Sequence, residues 1–203
     1  MGNFSLGDAD APLAIDTSVS INLAACGIAP RLLRALGRRV VVVRTVTGEL
    51  EDGGERGQVV LAAIEQWQRD GLLTVVDLQE RSHDAFEQLI TGSTTVTIDD
   101  GEAATIAHAL HITGIAVVDD GKARRIGAQR FPSLRLASTA DLMLNPPVVD
   151  SLGDVAIADA LFNALTGARM RVLPHNVSAV VSRLGPERVA MCHSLPRSVR
   201  RSD

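Results

Sequence analysis

Short apolar runs alternate with helix-patterned stretches from residue 12 to residue 138, and this alternation constrains the fold more than any other feature. PLAI (12–15) reads as a buried strand that ends in Asp16 and runs into a helix, TSVSINLAACG, stopped by Gly27. PRLLRALG (30–37) starts a second helix with proline in its first turn. VVVVR (40–44) is β-branched and predicts a strand. GELEDGG (48–54) reads as a polar break. A helix is predicted over 55–71, with Val59, Ala62, Ala63, Ile64 and Trp67 mainly inward. LTVVDL (73–78), GIAVVDD (114–120) and LRLAS (134–138) predict further strands. Helices over 82–90, 101–112 and 121–130 separate them. Strands alternating with helices give an α/β domain around a parallel sheet. Two prolines and turn residues in NPPVVDSLGD (145–154) predict a linker, followed by two amphipathic helices over 155–171 and 175–185. The tail, with Arg197, Arg200 and Arg201, reads as solvated and frayed.

Composition removes several functions. Aromatic residues are 2% and tyrosine is absent, which opposes a nucleic-acid surface built on base stacking. The net charge of −4 does not mark a nucleic-acid binder either. No apolar run reaches the length needed to span a bilayer, so no membrane role is expected. MGNFSLGDADAP lacks the basic start and apolar core of a signal peptide, and Gly2 lacks the Ser/Thr at position 6 of a myristoylation motif. Cys26 and Cys192 form neither a disulfide framework nor a metal pair. A reducing cytoplasm is the expected location.

The informative residues are acids. In a parallel α/β sheet, ligands bind beyond the carboxyl ends of the strands. Asp16 stands there after PLAI, and Asp119 and Asp120 stand there after GIAVV. An acid in that position is costly to desolvate unless it caps a helix, is paired or binds a cation. A third acidic group opens the helix DDGEAATIAHAL (99–110). Asp99 and Glu102 have the spacing of a capping box, with Asp99 as N-cap. At about 100° per residue, however, Glu102 falls on the border of the apolar face formed by Ala103, Ile106, Ala107 and Leu110. From there it can reach the sheet edge. His108 and His111 fall away from that face and are expected in solvent.

These residues resemble those of PIN-domain nucleases. AIDTSVSINL is similar to the family's opening hydrophobic–Asp–Thr–Ser/Asn pattern, and VTGEL to its Val-x-x-Glu-Leu. DDGEAATIAHAL and VVDDGKARRIG resemble the middle helix and the late Asp-Asp segment of one branch, and LASTADLML resembles the Ser-Thr-x-Asp-Leu-Leu of VapC-type toxins. The resemblance spans residues 12–145, in the family's order. It implies a parallel α/β/α sandwich of PIN-like type over 1–146 and a C-terminal helical extension over 147–203. The implied catalytic acids are Asp16, Glu49, Glu102 and either Asp119 or Asp120; Glu51 and Glu55 lie close to Glu49. Asp16, Glu102, Asp119 and Asp120 are the implied metal ligands, and the hydroxyls of Thr17 and Ser18, beside the first of them, are implied substrate contacts.

Clustered carboxylates repel each other and take up protons unless a cation joins them. All-oxygen ligands suit Mg2+ or Mn2+. The implied activity is metal-dependent hydrolysis of RNA phosphodiester bonds, as in the toxin of a toxin–antitoxin pair. The implied partners are RNA, an antitoxin protein and a second copy of the chain. Arg124 and Arg125 follow the last acids and are the expected substrate contacts; Arg44 and the group Arg31, Arg34, Arg38 and Arg39 are alternatives whose plainer role is a solvated surface. Two other readings compete. A PIN-like fold without activity would serve as an interaction module, docking through its C-terminal helices. A phosphoacceptor receiver domain wants its acid pair early and a lysine at a late strand end, whereas here the pair is late and the single lysine, Lys122, starts a helix.

Overall fold

The computed structural model describes Leu6 and residues 10–200. The expectations for Gly2 and Arg201 concern residues outside this set. Strand β1 (Leu13–Ile15) leads to helices α1 (Thr17–Ala25) and α2 (Ala29–Leu36), and β2 (Val40–Val43) to α3 (Arg44–Glu51) and α4 (Gly54–Arg69). After β3 (Thr74–Val76) come a 3-10 turn at Glu80–Ser82, α5 (His83–Ile90) and α6 (Asp100–His111). Then follow β4 (Ile115–Val117), α7 (Gly121–Arg130), β5 (Arg135–Ala137) and α8 (Thr139–Met143). The chain continues with α9 (Pro146–Leu152), α10 (Asp154–Gly167), α11 (Pro174–Met191) and α12 (Arg197–Arg200).

All strand pairs are parallel, in the order β3-β2-β1-β4-β5. Ile15 is level with Val42 on one side and Val117 on the other. Strand residues alternate between two cores, as a pleated sheet covered on both faces requires. Leu13, Ile15, Val40, Val42, Ile115 and Val117 share one core with α1, α2, α4 and α9–α11. Ala14, Ala116 and Val118 share the other with α5, α6 and α7. The expected α/β/α sandwich around a parallel sheet is present.

Five local expectations fail. The polar break at 48–54 is mostly helix α3, because Val46 and Leu50, four apart, give it a buried face. In α4 the inward set is Gly57, Val60, Ile64 and Trp67, while Val59 is 68% exposed. The stretch predicted as a linker contains helix α9, since its prolines occupy the first helical turn, where proline is tolerated. Helix α6 is enclosed nearly all round by the sheet, α3 and α5, so its two-faced reading does not hold. His108 is consequently buried, and neither ring nitrogen has a hydrogen-bond partner. Gly27 does stop α1, in the left-handed region at φ +79°. The tail expected to fray includes α12, and Arg200 donates to the Leu195 carbonyl. Cys26 and Cys192 are both buried free thiols. Among the described residues no single helix is long and apolar enough to cross a membrane.

Residues beyond 146 contribute to the main core. Ile157, Leu161 and Leu165 of α10 and Val180 of α11 are buried within it. Leu161→Ala is therefore expected to cost about 2–5 kcal/mol, in a single unfolding transition of the whole chain. Chemical denaturation monitored by Trp67 fluorescence and by circular dichroism checks this. Two separated transitions, with only one shifted, would count against a shared core.

Candidate active site

The order of the strands sets the site. The chain leaves β1 toward β2 and later returns to β1's other side as β4, so the connections after these neighbouring strands diverge and leave a cleft at their carboxyl ends. Asp16 follows β1 directly, and Asp119 follows β4 after Val118. Asp16 is 1% exposed and is the N-cap of α1. Its Oδ1 accepts the Val19 N–H at 2.7 Å, and the Ser18 hydroxyl donates to it at 3.0 Å. Burial pushes the Asp16 carboxyl well above the usual carboxylate range, and the Asp119 charge pushes it further. The Val19 and Ser18 donors only partly offset this, and Glu102 adds a smaller upward push.

Asp119 is 3% exposed and is held by groups from two other elements. The Asn22 amide of α1 donates to Oδ2 at 2.7 Å, and the Thr139 N–H donates to Oδ1 at 2.8 Å. The Thr139 hydroxyl also donates to Oδ2. Burial raises the Asp119 carboxyl, against the lowering effect of Thr139 and Asn22. Asn22 and Thr139 were not marked as site residues by the sequence reading. Asn22 lies on the α1 turn after Asp16, and a buried amide beside an acid is the signal that would have found it. Thr139 belongs to the LASTADLML motif.

The remaining acids divide into two kinds. Glu49, on α3, turns toward the start of α6, where its Oε1 accepts the Gly101 N–H at 2.6 Å and the Thr17 hydroxyl donates to its Oε2. A side chain at Gly101 would collide with this carboxylate, so the contact requires glycine there. Glu102 instead lines the pocket with Ser18, Asn22, Asp119 and Asp120. Its carboxyl is pushed up to about 7, by burial first and then by Asp120 and Asp99, against a lowering contribution from the Asp99 backbone N–H. That last interaction is the Glu102 half of a capping box. The other half is missing, because the Asp99 side chain makes no capping bond. Among the described residues no three acids, histidines or cysteines lie close enough together to hold an ion as the side chains now stand.

Asp120 is committed elsewhere. Its Oδ1 caps α7, accepting the Lys122 N–H at 2.7 Å and the Ala123 N–H at 3.1 Å. Its Oδ2 pairs with the Arg171 guanidinium at 2.6 Å. Arg124, expected on the substrate rim, points inward: its Nη1 donates to the Val118 carbonyl at 3.1 Å and the Ala137 carbonyl at 2.6 Å, tying the ends of β4 and β5 together. Arg125 is exposed but does not line the pocket. Arg44 pairs with Asp77 at 2.6 Å. The cationic residues that do line the pocket are Arg169 and Arg171, from the turn after α10. The reading by motif missed both, because that turn belongs to no recognised pattern.

Fold and pocket together define a class: a parallel α/β/α sandwich with an acidic pocket where the strand order reverses. The chain belongs to the PIN-domain family: the profile of the family described as DUF3368, a PIN domain, matches residues 12–186. No curated protein and no solved structure gives a significant match. PIN domains are typically nucleases, and such nucleases generally use divalent metal ions. The donor chemistry fits such an ion, since Asp16, Glu102 and Asp119 offer only oxygen ligands, and burial, which raises all three carboxyls, disfavours their charged forms unless a cation joins them.

The Glu102 shift gives a stability signature for the metal-free chain. Between the ordinary carboxylate value of 4.5 and about 7, the folded chain holds a proton that the unfolded chain releases. This contribution is complete at low pH and is lost as pH rises through about 7. Glu102→Gln keeps the contact to the Asp99 N–H, flattens part of that slope, and is expected to be more stable above pH 7 by about 1 kcal/mol after solvent screening. Denaturant melts in a chelator across pH 4–8 measure this. An unchanged slope would remove Glu102 from the acid cluster.

Proposed function

We propose that this protein is a metal-dependent endoribonuclease that hydrolyses RNA phosphodiester bonds. One observation carries the reading: Asp16, Glu102 and Asp119, from three separate parts of the chain, stand around the switch point of a parallel sheet, and burial raises the proton affinity of each, with neighbouring acids adding to it at Asp16 and Glu102. A structural role does not account for that cost, because buried like charges destabilise the fold. Asp16, Glu102 and Asp119 would hold Mg2+ or Mn2+. When bound, such an ion neutralises the scissile phosphate and makes water more acidic. The chain's own part is to fix the carboxylates: Val19 and Ser18 orient Asp16, while Asn22 and Thr139 orient Asp119. Glu49 braces α6, through Gly101, against α1, through Thr17, and so sets where Glu102 stands.

The resemblance to VapC-type motifs supports a toxin role, with an antitoxin protein as partner, a homodimer as the assembly and the cytoplasm as the location. One observation favours the rival reading of an inactive interaction module: Glu49, one of the family's acids, is bound to the Gly101 N–H and the Thr17 hydroxyl. Cleavage of structured RNA with Mn2+ separates the two. The wild type is expected to cleave, and Asp16→Asn, Asp119→Asn and Glu102→Gln are expected to lose at least about a hundredfold in kcat. A wild type that neither cleaves nor binds Mn2+ by calorimetry would leave the interaction module as the better reading.

A further inference from the structure

An RNA phosphate approaching this pocket meets Glu102, Asp119 and Asp120 on a chain whose net charge is −4, with Asp16 buried behind them. Some cationic group has to stand beside the acids for a polyanion to approach. The turn after α10 supplies two. Its middle is anchored: the Met170 N–H donates to the Ala164 carbonyl at 3.1 Å, and the Met170 side chain is 1% exposed, seated in the main core. On either side of that anchor, Arg169 and Arg171 both line the pocket. Arg169 has φ +57°, a conformation that costs a branched-free but non-glycine residue strain. Its exposed side chain makes no hydrogen bond or ion pair among the described residues. Arg171 is oriented by Asp120 at 2.6 Å while its side chain stays 72% exposed.

Neither feature is explained by stability. An exposed ion pair contributes little, and a glycine at position 169 would relieve the backbone. Asp120 has one oxygen on the α7 N-terminus and the other on Arg171. A guanidinium held from one edge still presents its other N–H groups, in the planar geometry that grips phosphate.

We propose that Arg171, aimed by Asp120, and Arg169 beside it form the phosphate-binding wall of this site, gripping the backbone of single-stranded RNA next to the acid cluster. Asp120 is then a positioning residue. The proposal rests on the nuclease reading above, and it gives the helices after residue 146 a direct part in holding substrate.

The test uses the full chain and a short labelled single-stranded RNA. Binding is followed by fluorescence anisotropy over a salt series in an Asp16→Asn parent, which prevents turnover, and cleavage is followed in the active chain. Arg171→Ala is expected to weaken binding about tenfold and to reduce the slope of log K against log salt by about one. Arg171→Lys recovers part of the affinity, and Asp120→Asn weakens binding less than Arg171→Ala does. In cleavage, KM rises for these variants while kcat changes little. Unchanged affinity and salt slope in an Arg171→Ala chain that melts like its parent would overturn the proposal. So would faster cleavage by Arg171→Ala, the sign of an arginine that blocks the acids. Cleavage without any dependence on the arginines would overturn the wall and leave the nuclease standing. Arginine-dependent RNA binding with no cleavage by the wild type would do the reverse. No RNA binding by any form would overturn both.

Discussion

Two carboxylates at the ends of neighbouring parallel strands repel each other, and the surrounding structure is arranged to hold them there. Asp16 and Asp119 are both almost fully buried, and burial alone favours their neutral forms. Four groups resist: the Val19 N–H and Ser18 hydroxyl on Asp16, and the Asn22 amide and Thr139 on Asp119. Three of these four lie on α1. Placing Asp16 at the N-cap thus does more than start a helix. It brings donors for both acids around from one element, with Ser18 and Val19 in the first turn and Asn22 on the second. The balance still falls on the side of raised proton affinity.

The second face of the sheet is tied to this centre through α6. Its partners on that face are small, Ala14 and Ala116, so the helix lies close to the strands. Close approach sets the height of its N-terminus, and the Glu49–Gly101 contact fixes that end against α3. Glu102 is the next residue after this pin. The amphipathic argument placed Glu102 at the border of the helix's apolar face, where it does line the pocket, while misplacing His108 on the same helix. A residue enclosed on all sides has no polar face to be assigned to.

The sheet and the acids were legible because each depends on local pattern. Apolar runs of three or four residues mark the strands, and an acid immediately after such a run is placed by strand direction alone. Choosing between Asp119 and Asp120 was not possible by that means, since adjacent residues after a strand look alike in sequence. The difference lies in partners far away, Asn22 and Thr139 for one and Arg171 for the other. The same limit explains the arginines. Proximity in sequence pointed to Arg124, but that side chain bonds the carbonyls of Val118 and Ala137 at the ends of its own two strands. The cations that reach the pocket come from a turn some fifty residues away along the chain, and no local period announces them.

The helices after residue 146 act on the site by a second route. Ser138 caps α8 in a reciprocal box with Asp141, and the Asn176 amide of α11 donates to both, at 3.1 Å to the Ser138 hydroxyl and 2.9 Å to the Asp141 carboxylate. His175 meets the same carboxylate at 3.0 Å. Burial raises the Asp141 carboxyl, but the donors from Asn176, Ser138 and His175 outweigh it and hold the group below its ordinary value. A charged, fully bonded Asp141 keeps the start of α8 in place, and the first residue of that helix is Thr139, which holds Asp119. The geometry of Asp119, beyond the end of β4, is therefore set in part by an asparagine on α11. A cap that would be an ordinary helix start in isolation becomes, through Thr139, the link between α11 and Asp119.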